Sequence, residues 1–216
     1  MKADQTSTVQ VVESEAMNKA LPLMESFYTV QGEGGFTGVP AYFIRLAGCD
    51  VGCHWCDVKE SWDASKHPTQ SLAAMTASAL ESGAGIVVVT GGEPAMYQLD
   101  ALTQNLQNAG LRTHIETSGA HPLTGFWHWV CFSPKKFKQP VEEVYEKAHE
   151  LKVVIYHKKD FEWAEMHAAK VNDNCQLFLQ PEWSKRDSVM PLIVDYVKRH
   201  PQWRISLQTH KYMDIP

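Results

Sequence analysis

The chain has 216 residues, 44% of them hydrophobic and 21% charged, and a formal net charge of −5. That is enough for one soluble domain with a real core, and it excludes a nucleic acid or a membrane surface held by bulk positive charge. No apolar run is long enough to span a bilayer, and the first twenty residues lack the apolar stretch of a secretory signal, so the expected compartment is the cytoplasm.

Residues 1–22 are polar and mixed in charge and read as an N-terminal extension, loosely packed or disordered, before a single domain over 23–216. Pro40 to Ala47 is rich in aromatic and branched residues and predicts a strand. Gly48 to Trp62 is a loop that carries cysteines. Thr69 is placed to cap a helix running through Leu72, Met75, Ala79 and Leu80 and stopping at Gly83. Ile86 to Val89 is a continuous apolar run, as in a parallel strand buried on both faces. Leu99, Leu102 and Leu106 sit at helical spacing, and Gly110 ends that helix. Strands are then predicted over Leu111–Glu116, Trp127–Phe132, Leu151–Tyr156, Gln176–Leu179 and Arg204–Leu207. Helices are predicted over Val141–Glu150 and Asp160–Val171, and on the face shared by Val189, Ile193, Val197 and His200. This alternation implies βαβ units with right-handed crossovers, in an open doubly wound sheet or a partial or complete barrel. Both place functional loops at the carboxyl ends of the strands.

Five cysteines is an odd number, and Cys49, Cys53 and Cys56 fall within one short loop. A disulfide framework spreads its cysteines, whereas clustered thiols in a cytosolic chain point to metal or redox chemistry. Gly48 and Gly52 let the backbone fold tightly around a shared centre. Three thiolates leave one iron of a four-iron cluster free to bind something else. The alternative is a structural zinc site completed by His54 or Asp57. Thr90-Gly91-Gly92-Glu93-Pro94 follows the apolar strand. Its two glycines allow a ligand to approach the backbone, Glu93 brings a carboxylate, and Pro94 stiffens the exit. Cys131 and Cys175 lie on predicted strands and are assigned no function. Trp62, Trp127, Trp129, Trp163, Trp183 and Trp203 are expected to pack.

The C-x3-C-x2-C loop, with Trp55 before its last cysteine, and the TGGEP turn together resemble the radical S-adenosylmethionine superfamily. The resemblance implies a partial (β/α) barrel with parallel strands and helices outside, and a 4Fe-4S cluster on Cys49, Cys53 and Cys56. In that superfamily S-adenosylmethionine chelates the open iron and is cleaved to a 5′-deoxyadenosyl radical, and the GGEP turn meets the cofactor's ammonium group.

The flanking segments narrow the resemblance. Phe27–Gly34 (FYTVQGEG), Pro40–Arg45 (PAYFIR), Ile115–Gly119 (IETSG), Ser133-Pro134-Lys135, Gln180-Pro181 and Gln208–Tyr212 (QTHKY) resemble a carbon–nitrogen lyase family of queuosine biosynthesis. Members of this family make 7-carboxy-7-deazaguanine, a precursor for tRNA modification. The likeness implies hydrogen abstraction from C6 of 6-carboxy-5,6,7,8-tetrahydropterin, ring contraction and loss of ammonia. It implies cofactor contacts at Trp55, Asp57, Gly92, Ser133, Pro134 and Lys135. Substrate contacts are implied at Val30, Gln31, Gly32, Arg45, Thr90 and Pro216. A Gln amide suits the alternating donors and acceptors of a pterin edge, and Arg45 could clamp a carboxylate or simply form a surface ion pair. Glu33, Glu116 and His210 are further candidates for substrate hydrogen bonds or proton handling. No catalytic side chain is expected beyond the cluster and the cofactor radical.

One position departs from the family pattern. A Ser or Thr normally stands two residues after the last cluster cysteine, where its hydroxyl is associated with Mg2+. Here that residue is Val58, which has no side-chain oxygen for a hard cation. Either magnesium binds through substrate and water, or it is dispensable, or Lys59 takes over the substrate carboxylate. The resemblance also implies a homodimer and an electron donor such as flavodoxin. Two rival readings are a glycyl-radical activase and a non-catalytic zinc or iron–sulfur module.

Overall fold

The computed structural model describes residues 19–216. The part of the expected extension at 1–18 lies outside the described residues. The rest of it does not stay outside the fold. Strand β1 (Ala20–Val30) begins at Ala20, because Ala20–Pro22 pairs antiparallel with β3 (Thr69–Ser71).

Among the described residues, nine strands form one open sheet in the order β3-β1-β2-β4-β5-β6-β7-β8-β9. The strands β2 (Pro40–Leu46), β4 (Ile86–Gly91), β5 (Arg112–Thr117), β6 (Trp129–Phe132), β7 (Glu150–Ile155), β8 (Gln176–Pro181) and β9 (Trp203–Ile205) run parallel. The expected parallel partial barrel is therefore present, with one correction: β1 and β3 extend it antiparallel. Helices α1 (Leu72–Glu81), α2 (Asp100–Asn108), α3 (Glu143–Lys147), α4 (Asp160–Ala168) and α5 (Arg186–Arg199) link the strands, and α6 (Thr209–Met213) follows β9.

Strand periodicity separates two faces. Val87, Val89, Ile115, Val130, Phe132, Leu151, Val153, Ile155 and Leu179 point outward. They pack under Leu102 and Leu106 of α2, Val144 of α3, Phe161 of α4 and Ile193 of α5. Each such side chain fully buried contributes about 1.5–3 kcal/mol. The register places Arg45 beside Thr90, Glu116 beside Cys131, Cys131 beside Glu150, and Val154 beside Gln180, all on the opposite, inner face. Paired residues of parallel strands share a face, so the barrel interior is lined with polar groups. Its lower end is filled by Phe36, whose ring meets His114 at 4.5 Å and Trp129 at 4.9 Å, edge to face.

Local predictions shift at the boundaries. Ser71, not Thr69, caps α1, its Oγ accepting from the Ala74 amide at 3.2 Å. The helix expected over Val141–Glu150 shrinks to α3, because Ala148 is already extended and Glu150 has joined β7. Among the described residues, no helix is long and apolar enough to cross a membrane.

Candidate active site

The carboxyl ends of the parallel strands meet at one mouth. The loop after β2 carries the three cysteines, which are all free thiols. Gly48 (φ 104) and Gly52 (φ 74) take left-handed conformations that bend this loop. It is pinned from both sides: the Gly48 and Cys49 amides donate to the Ser61 and Trp62 carbonyls at 2.6 and 3.1 Å. Cys49, Cys53 and Cys56 pack with Val51, Trp55 and Ala120 in a small apolar cluster. Burial raises the Cys49 thiol and pushes that of Cys53 to about 11, so metal binding must displace their protons.

The TGGEP turn lies directly against this loop. The Gly92 amide donates to the Leu46 carbonyl at 3.0 Å, and the Glu93 amide to that of Gly48 at 2.9 Å. A Cβ on Gly92 would meet the Gly48 carbonyl carbon at 2.7 Å and the Cys49 Cβ at 2.8 Å. Glycine is therefore required by the close approach of two backbones. Glu93 is 1% exposed and its carboxylate is already used. One oxygen accepts from the Ala95 amide at 3.0 Å and the Thr117 hydroxyl at 2.5 Å, the other from the Ser118 amide at 2.8 Å and the Ser118 hydroxyl. It knits the end of β4 to the end of β5.

A cavity of about 420 Å³ opens at this mouth. Its lining unites Cys49, Cys53 and Cys56 with Trp55, Asp57, Gly92, Ser133 and Lys135, and with Val30, Gln31, Gly32, Arg45, Thr90 and Pro216. Of the residues expected to hold cluster, cofactor or substrate, Pro134 alone is absent from the wall; it is buried behind the turn that presents its two neighbours. Lys135 bonds the Ser133 carbonyl at 2.7 Å and hydroxyl at 2.6 Å, and burial lowers its pKa. Arg45 pairs with Glu25 at 2.7 Å, as the ion-pair reading expects, and also lines the cavity. Val58 also lines it; Lys59 is exposed and does not. Trp62 and Trp183, expected only to pack, form part of the wall because the turns after β2 and β8 carry them to the mouth.

The inner wall holds a charged array that short motifs did not reveal. Lys152 of β7, 3% exposed, bonds Glu33 and, at 3.4 Å, Glu116. Gln208 donates to the other Glu33 oxygen at 2.9 Å. Burial works to raise the Glu33 carboxyl, but Lys152 and Gln208 outweigh it and hold it at about 2. Burial likewise opposes the Lys152 ammonium, while Cys131, Glu116, Glu33 and Glu150 keep its pKa well above the usual lysine value. His210 packs its ring on Gly32, where a Cβ would lie 2.8 Å from its Cγ, and burial lowers its pKa.

These residues fit an iron–sulfur cluster with a nucleoside cofactor beside it. Three thiols on one tight loop face a cavity walled by a glycine turn. Among the described residues, no three His, Cys, Asp or Glu side chains are drawn together as ligands of a single ion. A four-iron cluster makes a different demand, with each thiolate on its own iron.

The comparison with known proteins agrees. Residues 43–157 match the Radical SAM superfamily, which defines the class. A 7-carboxy-7-deazaguanine synthase of Flavobacterium psychrophilum is 61% identical over 196 residues, 91% of this chain and 93% of that protein. Synthases of the same name from Synechocystis sp. and Escherichia coli K12 are 46% and 38% identical, over 94% and 90% of this chain and 97% and 98% of their own lengths. The crystal structure of QueE from Escherichia coli superposes with a TM-score of 0.81 at 33% identity, covering 90% of this chain and 97% of that one. The chain belongs to the 7-carboxy-7-deazaguanine synthase family of the radical SAM enzymes. The activase and zinc-module readings fall with that assignment.

Proposed function

We propose that the chain converts 6-carboxy-5,6,7,8-tetrahydropterin to 7-carboxy-7-deazaguanine with loss of ammonia. The observation that carries this reading is the single cavity joining the three-thiol loop and glycine turn to the Gln31, Glu33, Glu116 and Lys152 array. With its cluster on Cys49, Cys53 and Cys56, bound S-adenosylmethionine would supply a carbon radical able to take hydrogen from C6 of the substrate.

The chain's own residues bind and orient. Gly92 opens the backbone for the cofactor, with Trp55, Asp57, Ser133 and Lys135 around it and Pro134 fixing the turn. Gln31 offers a spare N–H and a spare acceptor lone pair to a planar heterocycle, beside Val30, Gly32 and Thr90. The Arg45 guanidinium faces the substrate carboxylate, and Pro216 closes the rim, its carbonyl accepting from the Thr29 hydroxyl at 3.3 Å. Buried polar groups of this kind reject molecules that leave them unpaired.

Magnesium dependence is weak in this reading, because Val58 offers no side-chain oxygen and the nearby Ser61 is fully buried and outside the cavity wall. The reductant is a one-electron donor such as flavodoxin, the assembly a homodimer and the compartment the cytoplasm, as the family likeness implies. Anaerobically reconstituted protein, reduced in the presence of S-adenosylmethionine and the carboxypterin, should release 7-carboxy-7-deazaguanine, read by mass spectrometry. Cleavage of S-adenosylmethionine without that product would overturn the substrate assignment.

A further inference from the structure

The array in the barrel interior closes on itself. Lys152 Nζ donates to Glu33 and to Glu116 Oε2. The Glu33 amide donates to Gln31 Oε1 at 3.1 Å, and Gln31 Nε2 donates to Glu116 Oε1 at 2.9 Å. The ring joins β7, β5 and the loop after β1, which lie far apart in the sequence. It also removes a degree of freedom. A Gln amide can usually turn over at little cost, but here each end has a partner that accepts only one orientation.

We propose that Lys152 is a positioning residue for the pterin, spending its ammonium on Glu33 and Glu116 so that the Gln31 amide is held in one orientation at the cavity wall. The inference rests on the proposed function for the identity of the ligand. Three features favour positioning over simple structural filling. Lys152 stands on the polar inner face, not in the apolar layer under the helices. Gln31, Glu33, Glu116 and Lys152 all line the cavity. An apolar residue of similar length would fill the same space, so the charge is retained for what it holds.

The groups facing this ammonium are Glu33 from the loop after β1, Glu116 from β5, Cys131 from β6 and Glu150 from β7, with the like charge of Lys135 opposing it from the turn after β6. Glu33 is faced in turn by Lys152, Gln208 and His210. Replacing Lys152 by methionine removes the cation that offsets the desolvation of Glu33. Its carboxyl then titrates upward from about 2. At higher pH the pocket carries an uncompensated buried carboxylate and the Gln31 amide loses its register. At lower pH Glu33 takes a proton and part of the defect is relieved. The wild-type site has its Glu33 charge compensated throughout the working range and lacks this dependence.

The test uses reconstituted holoenzyme, with Kd for the carboxypterin from anaerobic calorimetry and KM from turnover. Lys152→Met should raise both by about tenfold or more near pH 8, with the ratio to wild type shrinking by about threefold or more near pH 6. Iron content and substrate-free cleavage of S-adenosylmethionine should stay within about twofold of wild type, since Lys152 does not touch the cysteine loop. The Lys152→Met/Glu33→Gln double variant should bind more tightly than Lys152→Met alone, because the stranded charge is gone. A ratio that does not change with pH, or a double variant no better than the single, overturns the proposal, as does loss of iron that the double variant fails to restore. The proposed function fails separately, if wild-type enzyme makes no product; the binding ratios remain readable by calorimetry in that case.

Discussion

Substituting Gly92 by alanine tests the close packing of the glycine turn on the cysteine loop. The added methyl would sit 2.7 Å from the Gly48 carbonyl carbon and 2.8 Å from the Cys49 Cβ, where ordinary contact begins at 3.4 Å. The loop must therefore retreat by at least 0.7 Å (3.4 less 2.7), and by more at the Gly48 carbonyl oxygen, which lies nearer still; no side-chain rotation can absorb it because the obstacle is backbone. Misplacing reacting groups by about 1 Å costs roughly 10²-fold in rate, so a fall of about 10- to 100-fold is expected. Overpacking also costs about 1–3 kcal/mol, too little to unfold an ordinary domain. The assay is product formation per bound iron, with iron content and circular dichroism read on the same preparation. Gly85→Ala is the control, since a Cβ there meets nothing within 4 Å. If Gly92→Ala kept full iron and a rate within about threefold of wild type, the close approach of the two loops would not be what holds the cluster and cofactor in place.

Two further outcomes are expected. Removing magnesium with a chelator should leave the rate within about tenfold of the magnesium-supplied rate, because the residue two places beyond Cys56 is Val58; a larger loss would show that water and substrate alone hold an essential cation. Glu93→Gln turns one acceptor into a donor facing Ala95, Thr117 and Ser118. That should cost about 1–3 kcal/mol and lower Tm by about 2–12 °C in a scanning melt, and an unchanged Tm would mean that these bonds add nothing to stability.

What could be read in the sequence was whatever is written in contiguous runs. The three thiols share one loop, the glycine turn sits next to its strand, and Ile86–Val89 announces a strand buried on both faces. Strand β1 was missed because its exposure follows no clean alternation and it contains Pro22. Lys152, Gln180 and Gln208 were missed as site residues because strand register brings the first two to the cavity and the loop after β9 brings the third, none of them through sequence proximity. A signal was present for the first: a lone lysine in the otherwise apolar run Leu151–Ile155 is rarely buried without a partner. Its partners, Glu33 and Glu116, lie 119 and 36 residues away.

The same geometry has a meaning in time. Every residue assigned here to the cluster and the cofactor has been synthesised once the ribosome reaches Lys135. The wall proposed for the pterin is completed only later, by Lys152, then Gln180, and then the segment in which the Thr209 amide clasps the Gly32 carbonyl at 2.9 Å, 177 residues back along the chain. A nascent chain thus acquires its metal ligands before it acquires a place for the molecule those ligands serve. The wall proposed for the substrate is the last part to be made, and it is whole only when the two distant parts of the chain join.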